Sequence, residues 1–207
     1  MSVGAGIPSI SLNGLGHGFG DNPLLFSGLN VRLDAGEVYA LTGPSGSGKS
    51  TLLSILAGWL EPREGKIERN DVATTSWVFQ NPHGVARRTV EDHVALPLLA
   101  RGLLHAEART EARRRLSEVG LSDRAASLFR TLSGGEAQRL MLARGMATYP
   151  SLLLVDEPTA QLDTKTAQTV NDALGAMSDE KTIVVVATHD ARTRDACTQV
   201  IDLGLLG

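Results

Sequence analysis

Gly43-Pro44-Ser45-Gly46-Ser47-Gly48-Lys49-Ser50-Thr51 is the stretch of this 207-residue chain whose residue types and spacing most directly specify chemistry. It fits G-x-x-x-x-G-K-[ST], a loop built to hold phosphate. Its glycines let the backbone curl so that several N–H groups point at one anion. The helix N-terminus that must follow adds the positive end of its dipole, Lys49 adds a full charge, and the Ser50 hydroxyl can reach Mg²⁺. The element that must lead into the loop is a buried strand, read over Val38–Thr42. The element that must leave it is a helix, read over Thr51–Ala57.

A second constellation lies downstream. Leu152–Val155 is a continuous apolar run, expected of a strand covered on both faces. Asp156 and Glu157 emerge at its C-terminal end, where open α/β sheets bind ligands. Asp156 is the expected acid for Mg²⁺, shared with Ser50, and Glu157 is placed to polarise a water toward a γ-phosphate. An acidic pair after a strand is by itself an ordinary turn; the phosphate loop gives it meaning. Ser133-Gly134-Gly135-Glu136 fits an S-x-x-E capping box opening a helix through Ala137, Leu140, Met141, Arg144 and Ala147. The bland reading is a well-capped helix. Two glycines inside the cap also bare the backbone N–H groups to an anion. One nucleotide cannot easily reach both helix ends within one subunit, whereas a two-fold dimer places each against the other's site.

Around these motifs short apolar runs alternate with helical patterns. Ile7–Leu12 and Leu29–Leu33 read as strands of a small antiparallel layer; Val38–Thr42, Ser76–Phe79, Leu152–Val155 and Ile183–Ala187 read as core strands. Thr164–Ser178 reads as a helix with Val170, Ala173, Leu174 and Met177 on one face. This alternation predicts an α/β fold: a P-loop core with a parallel sheet flanked by helices, plus the antiparallel layer. Between Gln80 and Leu132 there is no strand pattern. Thr89-Val90-Glu91-Asp92 opens a helix expected to run through Ala95 and stop before Pro97. Glu107–Val119 reads as an exposed helix with Ala108, Ala112, Leu116 and Val119 inward. Its Arg113-Arg114-Arg115 run reads as a solvated face laced with acids, Glu111 to Arg115 being an i,i+4 pair. The expected organisation is one domain over 1–207, with 1–80 and 132–207 as the core plus antiparallel layer and 81–131 as an inserted α-helical subdomain.

Composition limits the function classes. Apolar content of 42% with 21% charged residues is ordinary for a globular chain, and a net charge of −3 offers no electrostatic footprint for nucleic acid. The single cysteine, Cys197, excludes an intrachain disulfide and suits a reducing compartment. The Gly-rich, uncharged residues 1–20 lack the basic start of a signal peptide. The longest uncharged apolar-rich run elsewhere, Thr51–Leu60, falls far short of the ~20 residues that span a bilayer.

With these motifs in this order, the chain resembles the ATP-binding cassette (ABC) family from Phe19 to His189. Gly43–Thr51 looks like its Walker A, Gln80 its Q-loop glutamine and Leu132–Glu136 its signature. Asp156-Glu157 resembles Walker B with the catalytic glutamate, Ala160–Asp163 the D-loop and His189 the switch histidine. The resemblance implies ATP and Mg²⁺ as ligands. Gly43, Ser45, Gly46, Ser47, Gly48, Lys49, Ser50 and Thr51 would bind the triphosphate; Ser50, Gln80 and Asp156 would hold the metal; Glu157, His189 and Gln80 would be catalytic. Phe19 would stack on adenine, unless it is a core residue. Ser133, Gly134, Gly135 and Glu136 would meet the γ-phosphate of a second copy, and Asp163 would organise the opposite site. The implied partners are a second copy and a separate membrane permease, with the chain at the cytoplasmic face of the membrane and not inserted in it. Val90–Gly102 and Trp77–Gln80 look most like small bacterial exporter ATPases serving lipoprotein release, macrolide efflux and a cell-division complex. A non-transport ATPase acting as a mechanical switch is the alternative. Two departures stand out: Lys49–Gln80 is shorter than in many members, and Gln161 replaces a small D-loop residue.

Overall fold

The computed structural model describes residues 6–160, 162–176 and 181–206. Two sheets form the frame. The first is antiparallel, built from β1 (Ser9–His17), β2 (Phe26–Asp34) and β4 (Glu64–Asn70) in the order β2-β1-β4. The second is parallel, with β3 (Val38–Thr42), β5 (Thr75–Val78), β6 (Leu152–Asp156), β7 (Ile183–Ala187) and β8 (Gln199–Asp202) in the order β5-β6-β7-β3-β8. Pairs such as Leu152↔Ile183 and Val38↔Val184 set its register.

The parallel strands are buried on both faces, and alternation divides their side chains between two cores. Leu152, Leu154, Ile183, Val185, Tyr39 and Leu41 face the antiparallel layer and α1 (Lys49–Leu56). Leu153, Val155, Val184 and Val186 face the opposite core, which holds α2 (Val90–Ala100), α3 (His105–Glu118), α4 (Gly134–Met146) and α5 (Thr164–Gly175). The short α6 (Ala191–Asp195) links β7 to β8.

Several elements differ from expectation. β1 and β2 run longer than their apolar centres, to His17 and from Phe26. α1 starts at Lys49, inside the loop motif, and not at Thr51. β4 carries one partly buried apolar residue, Ile67, in an otherwise exposed strand, and β8 is a four-residue edge, so neither has a periodic apolar signal. α2 does not stop before Pro97 but continues to Ala100. A proline inside a helix costs about 3 kcal/mol. Val94 and Leu98, both fully buried on either side of it, return about 1.5–3 kcal/mol each and offset that cost. Between Gln80 and Leu132 the only strand-like pairing is the isolated bridge Thr89↔Leu128. On α3, Ala108, Ala112 and Leu116 are fully buried, as is Val119 just beyond it, while Arg114 and Arg115 pair with Glu111 and Glu118. Met177 lies outside the described residues, as does Gln161.

Candidate nucleotide site

The strand order of the parallel sheet puts β3 beside β7, with β6 next in line, so three loops open at one carboxyl edge. Crevices of this kind are where open α/β sheets hold ligands. The turn from β3 into α1 supplies residues 43–48. Gly48 caps α1 at φ 93°, and a Cβ there would come within 2.8 Å of the Phe26 ring. Gly43 sits at φ 143°, where a Cβ would lie 2.6 Å from the Ser47 hydroxyl. Glycine is therefore required at both places by conformation and by space. No side chain caps α1, which leaves its first-turn N–H groups directed at the loop. The Lys49 ammonium folds over the same loop, donating to the Gly43 carbonyl at 2.8 Å and the Pro44 carbonyl at 3.1 Å.

The acids arrive from β6. Ser50 Oγ donates to Asp156 Oδ2 at 3.2 Å, bridging residues far apart in sequence. Burial pushes the Asp156 carboxyl above its ordinary value, and neighbouring Glu157 pushes it further, against the Ser50 hydrogen bond and the Lys49 charge. That is the condition of a carboxylate short of positive charge, and it fits a divalent cation. Among the described residues no group of three or more His, Cys, Asp or Glu could hold a metal alone. An ion here would complete its shell with phosphate oxygens and water, as Mg²⁺ habitually does.

Successive side chains on a strand point to opposite faces. Glu157 escapes that rule by a left-handed turn, φ 50°, which brings its carboxylate into the same cleft as Asp156. A non-glycine residue in that conformation is uncommon and strained. Its backbone N–H is anchored to the Ala187 carbonyl of β7 at 2.9 Å. Its Oε2 lies 2.8 Å from Nδ1 of His189, which follows β7.

The resulting cleft holds about 700 Å³. Its walls include the phosphate loop, Ser50 and Thr51, with Gln80, Asp156, Glu157, His189 and Phe19. Phe19 is 53% exposed, so it is not a core residue. Ser45 and Gly46 line the cleft, whereas the Ser47 side chain is buried and does not.

Other expected site residues lie elsewhere. Ser133 caps α4, accepting from Glu136 N at 3.3 Å, while Glu136 accepts from Ser133 N at 2.8 Å and pairs with Arg124. The Ser133 N–H bond, with smaller help from its hydroxyl and Arg124, lowers the Glu136 carboxyl. Ser133, Gly134, Gly135 and Glu136 are absent from the cleft wall. Asp163 caps α5, accepting from the N–H groups of Lys165 and Thr166 at 3.1 Å each. Gln138 is a residue the sequence reading missed: it is buried on α4 and donates to the Phe79 carbonyl at 3.2 Å, tethering that helix beside Gln80. A glutamine among apolar periodic positions was the only available signal.

The fold and this cleft define a P-loop nucleoside triphosphatase. The ABC transporter family pattern matches residues 26–160. The chain belongs to that family, and is its ATP-hydrolysing cassette. It is 35% identical to the lipoprotein-releasing system ATP-binding protein LolD 1 of Rhodopirellula baltica, over 85% of this chain and 84% of that protein. It is 38% identical to the aliphatic sulfonates import ATP-binding protein SsuB of Corynebacterium glutamicum, over 88% and 74%. Among solved structures it is similar to a dimeric ATP-binding cassette in a post-hydrolysis state bound to ADP and Pi. That match has a TM-score of 0.79 and 28% identity, and covers 94% of this chain and 95% of that one.

Proposed function

We propose that two copies of this chain close on two MgATP to drive a separate membrane permease, reopening on hydrolysis. One observation carries the reading: the Ser133–Gly135 helix end, built for an anion, does not line the chain's own cleft. A second copy, apposed head to tail, supplies that end to the γ-phosphate and receives one in return. That a similar cassette is dimeric in a state bound to ADP and Pi supports a dimer for this chain. The Gly43–Thr51 segment binds the triphosphate, and Phe19 stacks on the base. Ser50, Asp156 and Gln80 hold Mg²⁺, which supplies charge neutralisation on the phosphates when bound. Glu157 takes a proton from the attacking water, and His189 orients Glu157 and meets the γ-phosphate. Asp163 joins the interface. Closure follows because ATP bridges the two copies only when they are together.

The permease dock is the hollow of about 320 Å³ beside the Q-loop, whose lining includes Trp77, Phe79, His83, Met141 and Arg144. Among the described residues no helix is long and apolar enough to cross a membrane, so the path for cargo belongs to the partner. The protein then works peripherally at the cytoplasmic face. The LolD relative and the Val90–Gly102 segment favour an exporter-type permease. The SsuB relative favours an import-type one, and the partner recovered by co-purification separates the two.

The test is size-exclusion chromatography with MgATP beside an ATPase assay. Glu157→Gln should bind ATP, lose at least about 100-fold in turnover, and elute as a dimer. Ser133→Arg should keep ATP binding as a monomer and lose turnover. Near-normal hydrolysis by Glu157→Gln removes that residue from its role. Loss of ATP binding by monomeric Ser133→Arg overturns the shared site.

A further inference from the structure

The turn that carries Phe19 is held by groups that the cleft does not use. His17 ends β1, two residues before Phe19 in the bend that follows. Its side chain is 95% withdrawn from solvent, being only 5% exposed, and among the described residues neither ring nitrogen has a hydrogen-bond partner. A buried imidazole with two idle nitrogens is a poor choice for filling space, since an apolar side chain would avoid the desolvation. What its ring does make is an edge-to-face contact with Phe19, centroids 5.1 Å apart and planes at 78°. Aromatic pairs favour that geometry.

Arg63, from the link between α1 and β4, reaches the same turn. Its guanidinium donates to the Gly20 carbonyl at 2.7 Å, and its own backbone N–H donates to Gly16 O at 3.0 Å. Backbone bonds from Asn22 N–H to the Phe19 carbonyl at 3.2 Å and from Leu25 N–H to the His17 carbonyl at 2.8 Å close the turn, but they fix the backbone and leave the half-exposed Phe19 ring to its side-chain neighbours. Neither His17 nor Arg63 is among the residues lining the cleft.

We propose that His17 and Arg63 are positioning residues that hold the Phe19 ring at the cleft wall, so that they set affinity for the base of the nucleotide without touching it. The inference rests on the reading of Phe19 as the base-stacking residue. A ring ordered before the ligand arrives spares the ligand the cost of ordering it. The phosphate loop is carried by other elements, β3 and α1, and Phe26, not the His17 or Arg63 side chain, packs against its Gly48, so phosphate binding should be retained.

The experiment compares ATP with inorganic tripolyphosphate, which has the phosphates and no base, by equilibrium titration of the full chain in EDTA to stop turnover. Phe19→Ala, His17→Leu and Arg63→Met should each weaken ATP binding about three- to tenfold, the span of one aromatic contact. Tripolyphosphate should bind all three like the parent protein. His17→Phe, which keeps a ring edge, should restore ATP affinity, and His17→Leu should add nothing to Phe19→Ala. Arg63→Met alters a solvent-exposed contact and decides the matter should His17→Leu fail to fold. If ATP affinity falls in Phe19→Ala alone, positioning is overturned while base stacking stands. An equal loss for both ligands in His17→Leu and Arg63→Met overturns it as a general effect on the fold. If Phe19→Ala itself binds ATP normally, base stacking falls and this inference with it.

Discussion

At the scale of single residues, the carboxylates after β6 bring a conflict between stability and chemistry into the cleft. Asp156 is held above the ordinary carboxylate value by burial and by Glu157. The native chain therefore binds a proton there more tightly than the unfolded chain. Its contribution falls as pH rises through and above the ordinary value of 3.8, and at neutral pH the ionised group is a net cost. Asp156→Asn should thus melt higher than the parent without nucleotide, by about 1–4 °C at pH 7, the group's partial exposure keeping the gain small. The same variant should lose Mg²⁺-dependent turnover by at least about 100-fold. Calorimetry and an ATPase assay check both; a lower melting temperature would contradict the electrostatic account. The identity of Asp156, Glu157 and Lys49 was legible from spacing alone. The left-handed turn at Glu157 was not, because no local residue preference announces it and the Ala187 carbonyl that anchors it belongs to a strand distant in sequence.

At the scale of elements, α3 was read correctly on its buried face, and its arginine run proves to be an internal lattice. Glu111 accepts from Arg114 and Arg115 and from the Tyr149 hydroxyl at 2.6 Å, joining α3 to the segment after α4. The Arg101 and Arg115 guanidiniums lie 5.3 and 5.0 Å from the centre of the Tyr149 ring. The Arg114 hydrogen bond above all, with Tyr149 and Arg115, lowers the Glu111 carboxyl from 4.5 to about 2. A depressed carboxyl stabilises the fold above its unfolded value, and that share is lost as pH falls from 4.5 toward about 2. Glu111→Gln should be less stable at pH 7 by about 1 kcal/mol and should show a shallower acid limb in urea unfolding across that window. An unchanged limb would mean that the lattice contributes nothing. The helix starts at Thr89, where the hydroxyl accepts from Asp92 N–H, and at Ser133, where the full capping box forms, were legible because their bonds close within three residues. The continuation of α2 past Pro97 was not, since the burial of Leu98 that sustains it comes from other elements.

At the scale of the whole molecule, the hollow beside the Q-loop adjoins a second one through His83 and Arg144, and Arg88 lines the latter. A basic rim over Trp77, Phe79 and Met141 suits an acidic amphipathic segment of a permease. Arg144→Glu should lose co-purification with that permease while keeping basal ATP hydrolysis within about twofold, since rim charges act on association; retained association would move the dock elsewhere. The amino-acid sequence by itself determined the short-range chemistry: the phosphate loop, the acids behind an apolar strand, the capped helix ends and the family they indicate. Each is a contact among near neighbours along the chain, so residue type and spacing suffice. The tertiary structure alone decided which of these pieces meet. It joined Ser50 to Asp156 and Glu157 to His189, kept Ser133 off its own cleft, and paired the polar edges β4 and β8 into sheets. Strand pairing and helix packing join segments distant in sequence, and their stabilisation comes from burial shared among elements, which no single segment encodes.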